Sequence, residues 1–238
     1  MRGPGTELLI VSGEPVWPAG GGGGGGGARS RTAGLVEALA ARFSVRVLAP
    51  MDGSPPEGAP VGVDELPDES PVPLLVAAVS PHSRRGRALL GPRRSQALLQ
   101  AIADHRPRAI LFAGGYLAAA APTIDRPVFV DFAELSVRRA PPAPGDGRRG
   151  RRVAAVESLK ARWWEPVEAR RAVAVSAASA EDVALLESWG ARAVLVPNVP
   201  DGSPPPDGSP PPGWVEAAAP LAGAVEQVVR APTIRPSG

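Results

Sequence analysis

Short apolar runs and helical stripes alternate along this chain. Residues 7–11 (ELLIV) form an unbroken apolar run, the signature of a strand buried on both faces. A loop over 12–27 follows and ends in eight consecutive glycines. Residues 31–42 then place Leu35, Val36, Ala38, Leu39 and Ala40 at helical spacing, and 45–49 (VRVLA) read as the next strand. Strand, glycine loop, helix, strand is a βαβ unit, whose crossover is expected to be right-handed. Further on, 61–63 is a short candidate strand, 74–79 a stronger one, and 95–105 (SQALLQAIADH) an amphipathic helix leading into a strand at 109–113 (AILFA). Residues 127–131 (PVFVD) form another buried run that ends in a carboxylate. After a Pro/Gly/Arg loop over 140–152, a long helix is predicted over 153–171, interrupted or bent at Pro166. A strand at 172–175, a helix at 179–189 closed by Gly190, and a strand at 193–196 complete the series.

Strands alternating with helices predict an α/β fold: a single doubly wound, mostly parallel sheet of about seven strands, Rossmann-like. The pattern breaks at Val199, where PDGSPP recurs in tandem. The expected organisation is therefore one domain over 1–198, an extended Pro/Gly/Ser-rich linker over 199–213, and a short amphipathic helix with a tail over 214–238.

Composition narrows the chemistry. With 44% hydrophobic residues in 238, the chain can bury a sizeable core, which excludes wholesale disorder. The net charge is only +2, and Lys160 is the sole lysine among 26 cations, an arginine bias that does not by itself mark a nucleic-acid-binding face. The absence of cysteine excludes disulfides, thiolate metal sites and a cysteine nucleophile, and His82 and His105 are too few and too scattered for a zinc site. No run approaches the ~20 apolar residues that span a bilayer, and the apolar run near the start is too short for a signal-peptide core. The expected location is cytoplasmic.

Four groups of residues carry candidate chemistry. The end of the glycine loop, Gly26 and Gly27, can bring backbone N–H groups close to a phosphate at a helix N-terminus. Arg29 and Arg31 follow at once and could pair with that anion; on this reading Arg31→Ala would leave stability unchanged and weaken ligand binding. Asp131 and Glu134 lie at the carboxyl end of a strand, where open α/β sheets bind ligands, and either could hold an acceptor hydroxyl or act as a base. Arginines cluster at 84–94 and again at 138–152, where anionic lipid or a lipid-linked acceptor would be attracted and a solvated loop is the plainer reading. Interleaved aromatics are lacking, which argues against nucleic acid. The adjacent Trp163 and Trp164 on the long helix place at least one ring in the core.

Three segments together resemble family 4 glycosyltransferases of the GT-B fold. They are GGARSRTAGLVEALAARFSVRVLAP at 26–50, PVFVDFAELS at 127–136, and EARRAVAVSAASAEDVALLESWGARAVLVPN at 168–198. The likeness covers about 5–202, the N-terminal half of such an enzyme. It implies a domain that binds an acceptor and one wall of a sugar-nucleotide cleft, with Gly26, Gly27 and Arg31 beside donor phosphates and Asn198 at the closing Pro-Asn. It further implies retaining hexosyl transfer from a nucleotide sugar, a substrate and not a cofactor, with a sugar or lipid-linked acceptor. A peripheral contact with anionic membrane at its inner face would suit such an acceptor.

Two departures matter. A histidine of the family pattern is replaced by Ala133, so no catalytic residue is assigned, and no metal is expected. The donor-binding second domain has no counterpart after Gly202, so it would have to act in trans. The rival reading is a non-catalytic binding module, either a truncated transferase or one subunit of a two-chain enzyme. A Rossmann oxidoreductase is weaker still, because the strand at 45–49 ends at Pro50 without the ribose-binding carboxylate.

Overall fold

The computed structural model describes residues 6–17, 27–51, 61–68, 91–114, 124–133, 135–138, 148–199 and 213–231. Seven strands form one parallel sheet: β1 (Leu8–Ser12), β2 (Val45–Ala49), β3 (Gly62–Glu65), β4 (Ala109–Ala113), β5 (Val128–Phe132), β6 (Ala174–Ala177) and β7 (Ala193–Leu195), in the order β3-β2-β1-β4-β5-β6-β7. Every pairing is parallel. Such strands need helical crossovers, and the helices are α1 (Gly27–Ala40), α2 (Pro92–His105), α3 (Arg148–Arg171) and α4 (Ala180–Ser188). The expected doubly wound α/β fold is what forms. The strand expected at 74–79 lies outside the described residues.

Alternation along each strand sorts the core into two layers. Leu8, Ile10, Val47, Leu111 and Phe129 face α1, while Leu9, Val11, Ile110, Phe112 and Val130 face the opposite layer with α2, α3 and α4. The central strands β1, β4 and β5 are buried at every position, which explains why they read as unbroken apolar runs.

Local chemistry sets the helix ends. Pro92 opens α2, where a missing N–H costs nothing. Ser179 caps α4 by accepting from the Asp182 N–H at 3.1 Å. Gly190, at φ +83, then takes the left-handed conformation that ends it. Contrary to expectation, α3 is not broken at Pro166, it starts at Arg148, several residues before the predicted start at 153, and neither Trp163 nor Trp164 places its ring in the core.

The C-terminal segment also departs from expectation. It forms two helices, α5 (Trp214–Ala217) and α6 (Ala219–Val229), built into the α1 layer of the core. Leu221, Ala222, Ala224, Val225 and Val229 are all buried. Trp214 packs where a Cβ on Gly34 of α1 would fall 2.1 Å from the indole, so only glycine at position 34 admits the ring. Arg108 donates to the Val229 carbonyl and Arg192 to Gln227 Oε1, fastening the helix end and its outer side. The helix pair is an integral layer, because the sheet face beside α1 would otherwise stand open to water.

Candidate functional site

The strand order reverses between β1 and β4: the chain leaves β1 for β2 on one side and later enters β4 on the other. Loops diverge at such a point, leaving a crevice outside the carboxyl ends of the strands. Its floor here is Ser12, in register with Ala113, followed by Gly114 at φ +122. The buried Ser12 hydroxyl donates to the Glu14 carbonyl at 2.7 Å, turning the chain away from the sheet. Above this floor begins α1, with Gly27 as its first residue.

One turn into α1, Arg31 leaves its own half of the sheet and reaches the other. Strand alternation puts Asp131 and Ser176 on the α1 side of β5 and β6, in register with each other. The guanidinium meets Asp131 in a fork: Nε donates to Oδ2 at 2.8 Å and Nη2 to Oδ1 at 2.7 Å. Nη1 donates to the Val196 carbonyl at 2.6 Å and to Asn198 Oδ1 at 3.0 Å. The Ser176 hydroxyl donates to Asp131 Oδ1 at 2.6 Å. Arg31 and Asp131 are 1% and 2% exposed, so this planar, charge-assisted pair sits in the dry interior.

This geometry corrects one expectation. Arg31 is not an arm held out toward an anion; Nε, Nη1 and Nη2 each donate to protein acceptors 100 to 167 residues away. Asp131, with both oxygens occupied, is likewise not presented as a base. The pair fixes the first turns of α1 against β5 and the end of β7, and so sets where the backbone at Gly27 stands over the crevice.

The other expected residues divide. Asn198 joins the network through its carbonyl oxygen and is itself exposed at the rim. Arg29 stands in the first turn of α1, and Gly26 and Glu134 lie outside the described residues. Beyond Glu134, the Val137 N–H donates to Glu165 Oε2 at 3.3 Å, and Arg138 pairs with Asp182 at 3.0 Å. Ser176 and the Val196 carbonyl were not anticipated. Ser176 lies within the AVS string of the third matching segment, but only the fold shows that it faces Asp131.

Two carboxylates, Glu165 and Glu168, lie on the buried side of α3. Burial pushes the Glu168 carboxyl up to about 8, Glu165 one turn earlier adds repulsion, and Arg171 pulls the other way. Among the described residues, no group of three or more His, Asp or Glu could hold a metal ion, and no helix is long and apolar enough to cross a membrane.

The comparisons with known proteins agree with this architecture. A family model described as a glycosyl transferase 4-like domain matches residues 26–200. The chain belongs to this family. No curated protein matches it. Among solved structures, the sucrose-phosphate synthase of Thermosynechococcus elongatus superposes with a TM-score of 0.56 at 16% identity, covering 82% of this chain and 48% of the synthase. A UDP-glucosyltransferase of Polygonum tinctorium capable of glucosylating indoxyl gives 0.51 at 15% identity, covering 86% of this chain and 55% of that enzyme. The chain thus spans about half the length of these enzymes, and its fold is that of the N-terminal domain of a GT-B glycosyltransferase. A piece of the same synthase, joining a long early stretch to a short later one, gives 0.52 at 14% identity and covers 93% of this chain and 98% of the piece.

Proposed function

We propose that this glycosyltransferase-like domain is the acceptor-side half of a hexosyl-transferring enzyme, supplying one wall of a sugar-nucleotide cleft. The observation that carries this reading is the Arg31–Asp131 fork, which holds the N-terminus of α1 over the crevice between β1 and β4. Backbone N–H groups at that terminus, from Gly26 and Gly27 onward, would face the donor's phosphates, with Arg29 supplying charge. Glu134 and Asn198, on the loops after β5 and β7, would line the acceptor side. Transfer with retention at the anomeric carbon then requires a donor-binding half in addition to this domain. Residues 200–212, between the end of the sheet and the docked α5–α6 pair, are too few to hold an α/β domain.

A non-catalytic binding module remains the second reading, and the engagement of both Asp131 oxygens favours it. Either way, this domain supplies one wall of the nucleotide's cleft and not the second. A formed pocket buries 70–90% of a ligand, so affinity for nucleotide sugars should be about millimolar or weaker. Calorimetric titration with UDP-, GDP- and TDP-hexoses, with a transfer assay alongside, tests this. Micromolar binding or turnover by the chain alone would overturn the half-site reading.

A further inference from the structure

We propose that the outward face of α3 is a docking surface for an anionic lipid bilayer. The proposal rests on the helix's own geometry and is independent of the nucleotide-sugar reading. Glu165 already meets the turn that follows β5, so the helical turns before it project past the carboxyl edge of the sheet. Twenty-four residues make a helix of about 36 Å, against about 17 Å for a five-residue strand. On the inner side of this stretch Ala161 is buried.

Its outer side is apolar. Val156, Leu159 and Trp163 share one stripe at the i, i+3, i+7 spacing, opposite the buried Ala161, Glu165 and Ala169. Their exposures are 43%, 58% and 74%, and Trp163 is the most open of the large apolar side chains among the described residues. A helix packed on one side of a soluble domain should turn charge to water, not a valine-leucine-tryptophan stripe.

Charge around the stripe selects the occupant. From 148 to 163 the sequence holds Arg148, Arg149, Arg151, Arg152, Lys160 and Arg162 against one acid, Glu157. Glu157 is already paired with Lys160 at 3.3 Å, and Arg162 is exposed beside the stripe. Four arginines in the first five positions oppose the helix dipole, and no acid stands in that turn to relieve it. Residues that weaken a helix where they stand are suited to something outside it. An apolar stripe with tryptophan, flanked by arginine and short of acid, matches a bilayer of anionic lipid: the rings and aliphatic chains enter the headgroup boundary while the guanidinium groups pair with lipid phosphates. A protein partner would need matching acids around an apolar slot, and a second copy of this face would repel it.

Vesicle co-sedimentation with the full chain tests the proposal, using phosphatidylcholine alone and phosphatidylcholine mixed with phosphatidylglycerol. Binding to the mixed vesicles only is expected, falling as salt is raised. Leu159→Ser and Trp163→Ser should each weaken binding about tenfold or more, and Arg162→Gln about fivefold, with melting temperatures unchanged. Equal binding to neutral vesicles, no binding to either, or wild-type binding by Trp163→Ser would overturn it. So would self-association of the chain that the same substitutions abolish, since the face would then join protein to protein.

Discussion

Removing the guanidinium of Arg31 should destabilise the domain severely. Arg31→Met keeps much of the apolar stem but leaves the Asp131 carboxylate, on a residue 2% exposed, with the Ser176 hydroxyl as its one donor among the described residues. It also strands the buried Val196 carbonyl, while the exposed Asn198 amide can turn to water. Breaking a buried ion pair from one side costs about 3–5 kcal/mol, because an uncompensated charge stays inside. For a chain of this length, each kcal/mol shifts the melting temperature by roughly 2–4 °C, so a drop of about 6–20 °C is expected. Adding Asp131→Asn to Arg31→Met should recover part of that loss by removing the stranded charge. Thermal melts of the wild type, both single variants and the double variant measure the coupling. If Arg31→Met melts within about 2 °C of wild type, the fork is not what holds α1, and the solvent-facing arm expected from sequence becomes the better account.

Three further outcomes follow from the same geometry. Glu168, raised to about 8 from an ordinary 4.5, binds a proton more tightly folded than unfolded, so stability should fall as pH climbs through that interval; Glu168→Gln should match wild type near pH 5 and melt several degrees higher near pH 8, and equal melts at pH 8 would refute the burial argument. Asp64 is held below the usual carboxylate range, first by its hydrogen bonds from Arg46 at 2.7 Å and also by the charges of Arg46 and His105; its contribution is present above pH ~4 and lost as pH falls further, so Asp64→Asn should cost about 1 kcal/mol or less near neutrality and nothing near pH 2 in denaturant titrations. Gly34→Leu should expel the Trp214 ring and loosen α5–α6, seen as faster proteolysis within 200–231, and Trp214→Ala should restore part of the resistance; unchanged proteolysis would show that the ring does not hold the pair.

The fold was legible where burial is symmetrical. Residues 109–113 are a strand at the predicted bounds, because a strand covered on both faces reads as a continuous apolar run, and 45–49 match theirs with Arg46 as the one half-buried break. Gly190, through its left-handed backbone, and Ser179, through its capping hydroxyl, mark the bounds of α4 by chemistry local to each residue. The start of α1 was not legible: glycine, alanine, arginine and serine at 27–30 carry no apolar period, though they are helical. Nor was the continuity of α3, since neighbours in the fold can hold a helix together across a proline that would break it in isolation.

The site shows the same division. Asp131, Arg31 and Asn198 stood out singly as polar residues beside strand or helix ends, yet their pairing spans 100 to 167 residues of sequence and follows only from the strand order. Arginine after a glycine loop suggests an anion, and nothing local says that a carboxylate from the other half of the sheet will take the fork first. The C-terminal helix was visible as an amphipathic stripe, but a Pro-rich linker hides which surface it covers. Gly34 is the one local signal that something large approaches α1.

Whether the N-terminus of α1 faces a nucleotide sugar across the crevice is read by hydrogen exchange in the presence of a UDP-hexose at about millimolar concentration. The account predicts slowed exchange at backbone amides from Gly27 to Arg31 and around Gly114, at the carboxyl edge of β1 and β4, with no change at the opposite edge near Ser44 and Arg108. Protection confined to that opposite edge, or none at any concentration that calorimetry shows to be bound, would contradict it.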